Sequence, residues 1–226
     1  MRIPYEDNVT SGPGLIPLSD EIAAAILLTL EAGWEIASAY PEIHAAAGEV
    51  VITERLRDAM RQVVNNNGLH PKLEIKVVVL LGSESRSRPE ISTPDGRTDI
   101  PIFIIEIFAQ YGVHDPHAII ECKRIAGSNT NLCRLYVVEG IDRFQTGKYA
   151  QNHRVAFMVG YLISGDAGAA VSGINQYLTG KGRQVEHLEP SKIIKEFCTW
   201  KSGHPRTGSS PIELHHAFFR LKAAPS

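Results

Sequence analysis

Glu121 and Lys123 stand two residues apart in the stretch AIIECKRI, directly after the apolar run 118–120. A strand alternates its side chains, so these two share one face while Ile120 and Cys122 share the other. Upstream, Asp99 opens a second apolar stretch, RTDIPIFIIEIF (97–108). The connection FAQYGVHDPH is too short, and too broken by Pro116, to hold a crossover helix, which predicts an antiparallel pair. A turn centred near 111 or 112 puts position 99 opposite 123 and position 101 opposite 121, with Asp99 beside both candidates. Two carboxylates brought together repel unless a cation lies between them, and hard divalent ions such as Mg²⁺ favour such oxygen ligands. A lysine beside them can orient or activate water, or stabilise charge that builds on a phosphate.

The elements that must carry these residues follow from pattern. Residues 1–18, rich in Pro and Gly, read as an arm. Ser19 or Asp20 caps a helix running towards Ser38, and a second helix spans about 48–64, with Gly68 as its stop. LEIKVVVLL (73–81) reads as a strand, GSESRSRPEISTPDG as a polar loop, and the two stretches described above as the next strands of a meander. Residues 132–152 read as a helix weakened near Gly140 and Gly147, RVAFMVGYLI (154–163) as a buried strand, and 167–178 as a helix of small residues. PSKIIKEF reads as a short helix and IELHHAFFRL (212–221) as a terminal strand. The sum is an α/β sandwich with a mixed central sheet flanked by helices, preceded by an extra helical segment. As a single unit it divides into an arm and helix (1–47), a core (48–178) and an extension (179–226) that the core does not require.

In that order of elements the chain resembles the PD-(D/E)xK nuclease superfamily, which includes the restriction endonucleases and RecB-like nuclease domains. Asp99 in GRTD corresponds to the motif's aspartate, and Glu121 and Lys123 in ECK to its acid and lysine; Thr98 stands where the signature has proline. The resemblance covers a little over half the chain. It implies a restriction-endonuclease-like fold and hydrolysis of a phosphodiester by a water activated on one or two Mg²⁺ ions, with Mn²⁺ able to substitute. Asp99 and Glu121 would hold the metal, with the backbone carbonyl of Cys122 as a further ligand, and Lys123 would position the water or stabilise the transition state. The family often adds an acid from the first core helix. Of the two candidates, Glu49 lies within about 20° of the apolar stripe of Leu56 and Met60, while Glu54 points the other way, so Glu49 is preferred as the further metal-binding acid. Gln145 and Tyr149 resemble a RecB-like QxxxY motif. Positions i and i+4 share a helix face, which would turn both towards substrate, with Arg143 and Lys148 nearby.

Composition limits the alternatives. A net charge of −2 over 226 residues argues against affinity resting on bulk positive charge, though a local basic patch remains compatible with it. No apolar run approaches the ~18 residues that span a bilayer, and the N-terminus does not read as a signal peptide. Three cysteines without a CxxC pair fit a reducing cytoplasm. The expected partner is nucleic acid, DNA ahead of RNA, with a homodimer or partner subunit left open. The rival function is a nucleic-acid-binding or interaction subunit that keeps the fold without cutting. His114, Asp115 and His117 read as a turn rather than a zinc site. His215 and His216, on opposite strand faces, read as structural, and Cys122 as a core residue.

Overall fold

The computed structural model describes residues 18–67, 76–80, 84–85, 96–112 and 115–224. The N-terminal arm, the expected stop at Gly68, His114 and most of the GSESRSR loop lie outside them.

Helix α1 (Asp20–Ala37) begins where Ser19 Oγ accepts from Ile22 N–H at 3.4 Å. Its buried stripe includes Trp34, stacked on Tyr161 and Phe219. Helix α2 (Glu49–Asn67) turns Ile52, Leu56, Ala59 and Met60 inward. Strand β1 (Val77–Val79), a short pairing of β2 (Glu84–Ser85) with β3 (Gly96–Arg97), β4 (Ile100–Ile104) and β5 (Ala118–Ile125) follow. The expected strand over 97–108 is shorter than its pattern. After Ile104 the chain winds into helix α3 (Ile105–Tyr111), closed by Gly112 at φ 66°. Buried Ile107 and the Glu106 carboxylate, which accepts from Lys76 N–H at 2.8 Å, hold that helix where alternation suggested strand.

The next helical stretch contains α4 (Thr130–Tyr136), a π-helical turn (Val137–Ile141) and α5 (Asp142–Gln145). Then come β6 (Val155–Leu162), α6 (Ala167–Gly180), β7 (Glu189–Ser191), β8 (Thr199–His204) and β9 (Ile212–Arg220). No helix forms over PSKIIKEF, where β7 gives way to bends. The extension is also more than an appendage, because β8 was not expected and β7 to β9 complete the sheet.

The seven-stranded sheet runs β1-β4-β5-β6-β9-β8-β7. Its outer pairs are antiparallel and the central β5-β6 and β6-β9 pairs are parallel. Strand β6 shows the layering directly. Phe157, Val159 and Tyr161 pack with α1 and α2, while Ala156, Met158 and Leu162 pack with α4 to α6. The molecule is thus an α/β fold with helices on both faces of a mixed sheet. Among the described residues no helix is long and apolar enough to cross a membrane.

Candidate functional site

On β5, Ile120 and Cys122 face the α1/α2 layer, and Ile119 and Ile125 face the α4 to α6 layer. Alternation therefore places Glu121 and Lys123 with the second set. The β4 register is Ile100↔Ile120 and Pro101↔Ile119, two residues away from the expected one. Continued by one step, it sets Asp99 across from Glu121 rather than from Lys123. An even slip keeps every residue on its face, so the three groups still converge.

The ladder stops at Ile100, and side chains take over the next β5 donors. Cys122 N–H donates to Asp99 Oδ2 at 2.8 Å, and Arg124 N–H donates to Glu49 Oε2 at 2.8 Å. Glu49, at the first turn of α2, thereby reaches the open edge of β5, while Glu54 is exposed. Lys123 bends over that edge. Its Nζ lies 2.8 Å from Glu121 Oε1 and donates to Glu49 Oε1 at 3.2 Å and to the Cys122 carbonyl at 2.8 Å. Three acceptors match the three protons of an ammonium. Gly140 in the π-turn makes room: a Cβ there would stand 2.5 Å from Met158 Cε and 3.6 Å from Lys123 Cγ.

Glu121 is 1% exposed. Its Oε1 also receives Arg143 Nη1 at 3.0 Å, while its Oε2 is buried without a hydrogen-bond partner. Burial, then the Asp99 charge, push its carboxyl up to about 7, against the pull of Lys123 and Arg143. Burial also raises Asp99, opposed by Lys123 and the Cys122 N–H. Burial works against the Lys123 charge, but Glu121, Glu49 and Asp99 outweigh it and hold its pKa above the usual value. The site is an ammonium locked in its charged form beside a carboxyl poised near neutral pH.

The remaining expected residues divide. Tyr149 Oη accepts from Arg143 Nη1 at 3.0 Å and donates to the Arg97 carbonyl at 2.9 Å, so Tyr149 and Arg143 belong to the cluster. Gln145 does not. Helix α5 ends at Gln145 and Gly147 adopts φ 75°, so Gln145 and Tyr149 share no helix face. Gln145 instead accepts from Arg183 at 2.8 Å. Lys148 is half-buried in the same turn.

Arg183 opens a second polar network that sequence reasoning missed. It pairs with Asp142 at 2.8 Å and Glu186 at 2.6 Å. From Glu186 Oε2 a chain passes through His204 (2.6 Å), Ser202 (2.6 Å) and His216 (2.7 Å) to Tyr136 (3.0 Å). The Glu186 carboxylate fixes one end of this chain, since it accepts from His204 Nδ1–H; beyond it the donor roles follow the imidazole tautomers. Burial, then His204 and His215, hold His216 well below the usual imidazole range, in keeping with its neutrality. Carboxylate, imidazole and hydroxyl in sequence are the parts of an acyl-transfer relay. Ser202 is only 4% exposed, however, and the second imidazole stands against its oxygen, so this chain braces β8 and β9. No fixed sequence spacing announces it. His117 is structural too: its Nδ1 accepts from Ile104 N–H at 2.8 Å.

Among the described residues, no three His, Cys, Asp or Glu side chains are grouped so as to hold a metal by themselves. Mg²⁺, however, is commonly held by one or two carboxylates with waters and substrate phosphates rather than by a full protein cage. Asp99, Glu121 and the Cys122 carbonyl offer hard oxygens of that kind, and the orphaned Glu121 Oε2 is a buried acceptor that wants a cation. The donor set fits.

No family model, no curated protein and no solved structure matches this chain.

Proposed function

We propose that the protein is a metal-dependent nuclease of restriction-endonuclease-like fold that hydrolyses phosphodiester bonds, with DNA as the first substrate to test. The observation that carries this reading is the buried Glu121 with Lys123 on one strand face and Asp99 across from Glu121, just before β4 begins. Asp99, Glu121 and the Cys122 carbonyl would hold Mg²⁺ or Mn²⁺, with Glu49 beside them through Lys123. The ion supplies activation of water and neutralisation of phosphate charge.

The chain's own groups do the rest. Lys123, kept cationic by three acceptors, faces charge that develops on the phosphate. Glu49 and Asp99 hold the strand edge open at a fixed width by occupying the N–H groups of Arg124 and Cys122. Tyr149 fixes the Arg143 guanidinium, which is suited to a phosphate oxygen. The active-site assignment leaves Gln145 in the Arg183 network.

The test is cleavage of a DNA and RNA panel with Mg²⁺ or Mn²⁺, comparing wild type with Glu121→Ala and Lys123→Ala. Turnover is expected to disappear in the first and to fall about 10²–10³-fold in the second, the scale of one electrostatic stabiliser. Metal-independent cleavage, or full activity in folded Lys123→Ala, would refute the assignment.

A further inference from the structure

Arg143 touches two carboxylates in opposite circumstances. Its Nη1 donates to Glu121 Oε1, 1% exposed, and its Nη2 donates at 2.8 Å to Glu139 Oε2, whose side chain is 48% exposed. Glu139 lies in the π-turn, four residues before Arg143, so the two are neighbours on the helix surface. Tyr149 Oη, itself tied to the Arg97 carbonyl, accepts from the same Nη1. A guanidinium cannot shed its charge at any ordinary pH.

Glu121 Oε1 therefore already carries two cations, Lys123 at 2.8 Å and Arg143 at 3.0 Å. A divalent ion taking this carboxylate would add two charges to a buried spot that holds two. Lys123 has another acceptor outside the proposed metal ligands in Glu49. Among the described residues Arg143 has one other carboxylate, Glu139. We infer that Arg143 and Glu139 form an exchange pair, in which Arg143 is the counter-ion of Glu121 in the metal-free protein and is retained by Glu139 when a divalent cation claims Glu121. Glu139 then tunes how readily the site takes its metal, without touching it. This rests on the metal-dependent reading above. The plain alternative is that Glu139–Arg143 is a surface ion pair of small worth, felt at the site only through net charge.

Mn²⁺ titration of the full chain by calorimetry or electron paramagnetic resonance separates them. Arg143→Gln is expected to tighten Mn²⁺ binding about tenfold, the scale of one charge-assisted hydrogen bond removed from the competing side. Arg143→Lys keeps the charge but cannot bridge both carboxylates and Tyr149, and is expected to tighten binding as well. Glu139→Gln is expected to weaken binding several-fold in wild type and to change nothing in the Arg143→Gln background. Arg143→Lys binding as wild type does, or Glu139→Gln acting equally in both backgrounds, would leave net charge as the whole effect and overturn the exchange. Wild type that binds no Mn²⁺, with Glu121→Gln indistinguishable from it, would overturn the metal-dependent reading itself and this inference with it. Circular dichroism of each variant confirms that the titrated protein is folded.

Discussion

Replacing Glu121 by Gln should stabilise the protein, by an amount that grows as pH rises from about 4.5 and is nearly complete by about 7. Glu121 ionises near 4.5 in an unfolded chain and at about 7 in the fold, a rise of about 2.5 units. At ~1.36 kcal/mol per unit this is about 3 kcal/mol. The sign follows from proton binding. A group whose folded pKa is raised binds its proton more tightly in the native state, so its stabilisation is complete below 4.5 and is lost as pH rises through 7. At pH 8.5 the wild type therefore carries an ionised, 1%-exposed carboxylate with one orphaned oxygen. Gln keeps the shape, presents a neutral group and should recover most of that loss. Chemical denaturation of both proteins at pH 5 and pH 8.5, in chelator, reads the difference. A difference of under about 1 kcal/mol at pH 5 and an advantage of about 3 kcal/mol for the variant at pH 8.5 are expected, the pull of Lys123 and Arg143 being already contained in the folded pKa of about 7. Added Mn²⁺ should stabilise wild type at pH 8.5 and leave Glu121→Gln unmoved. A variant less stable than wild type at pH 8.5 would mean that Lys123 and Arg143 outweigh burial, and the account of a poised carboxyl would be wrong.

Acid should act through a different residue. His153 is buried, its Nε2 donates to the Pro116 carbonyl at 2.7 Å, and burial holds its pKa at about 4, below the usual 6.5. A depressed folded pKa means stability present above 6.5 and lost as pH falls towards 4, about 3 kcal/mol in all; denaturation midpoints across pH 7 to 4 should show that slope, flattened in His153→Gln. Packing offers a third check. A Cβ on Gly127 would lie 2.1 Å from the Ala169 carbonyl oxygen, in the backbone of α6, whereas one on Gly180 meets nothing within 4 Å. Gly127→Ala should cost about 1–3 kcal/mol or more by overpacking, and Gly180→Ala should be neutral or stabilising by about 0.4–1 kcal/mol. Equal midpoints for the two would show that α6 yields freely.

What could be read beforehand depended on how local the cause was. Glu49 was separable from Glu54 because a helix sets side-chain direction by phase alone, and the structure brings Glu49 to Lys123 and Arg124 N–H. Glu121 and Lys123 shared a face for the same kind of reason, with a period of two. The shared helix face expected of Gln145 and Tyr149 failed where a local break intervened, because the αL turn at Gly147 cancels the periodicity on which it depended, although Tyr149 still reaches the cluster through Arg143. Strand β8 was invisible for a longer-range reason. Its inward residues include Ser202 and His204, polar groups that are tolerable in the interior only because Glu186 and His216 meet them from other elements. No window of sequence contains both halves of that bargain.

The β4–β5 register joins these two cases. Counting from an assumed strand over 97–108 placed Asp99 opposite Lys123; the winding of residues 105–111 into α3 moved the centre of the connection, and Asp99 came to lie across from Glu121. A slip of one residue would have turned Asp99 into the α1/α2 layer beside Cys122. A slip of two left it with Glu121 and Lys123, at the cost of changing which of them it most affects. That change has a chemical consequence: Asp99 is the charge that, after burial, does most to raise the Glu121 carboxyl. Had the counted register held, Asp99 would bear more on the lysine and less on the acid, and burial alone would be left to raise the Glu121 carboxyl against the pull of Lys123 and Arg143.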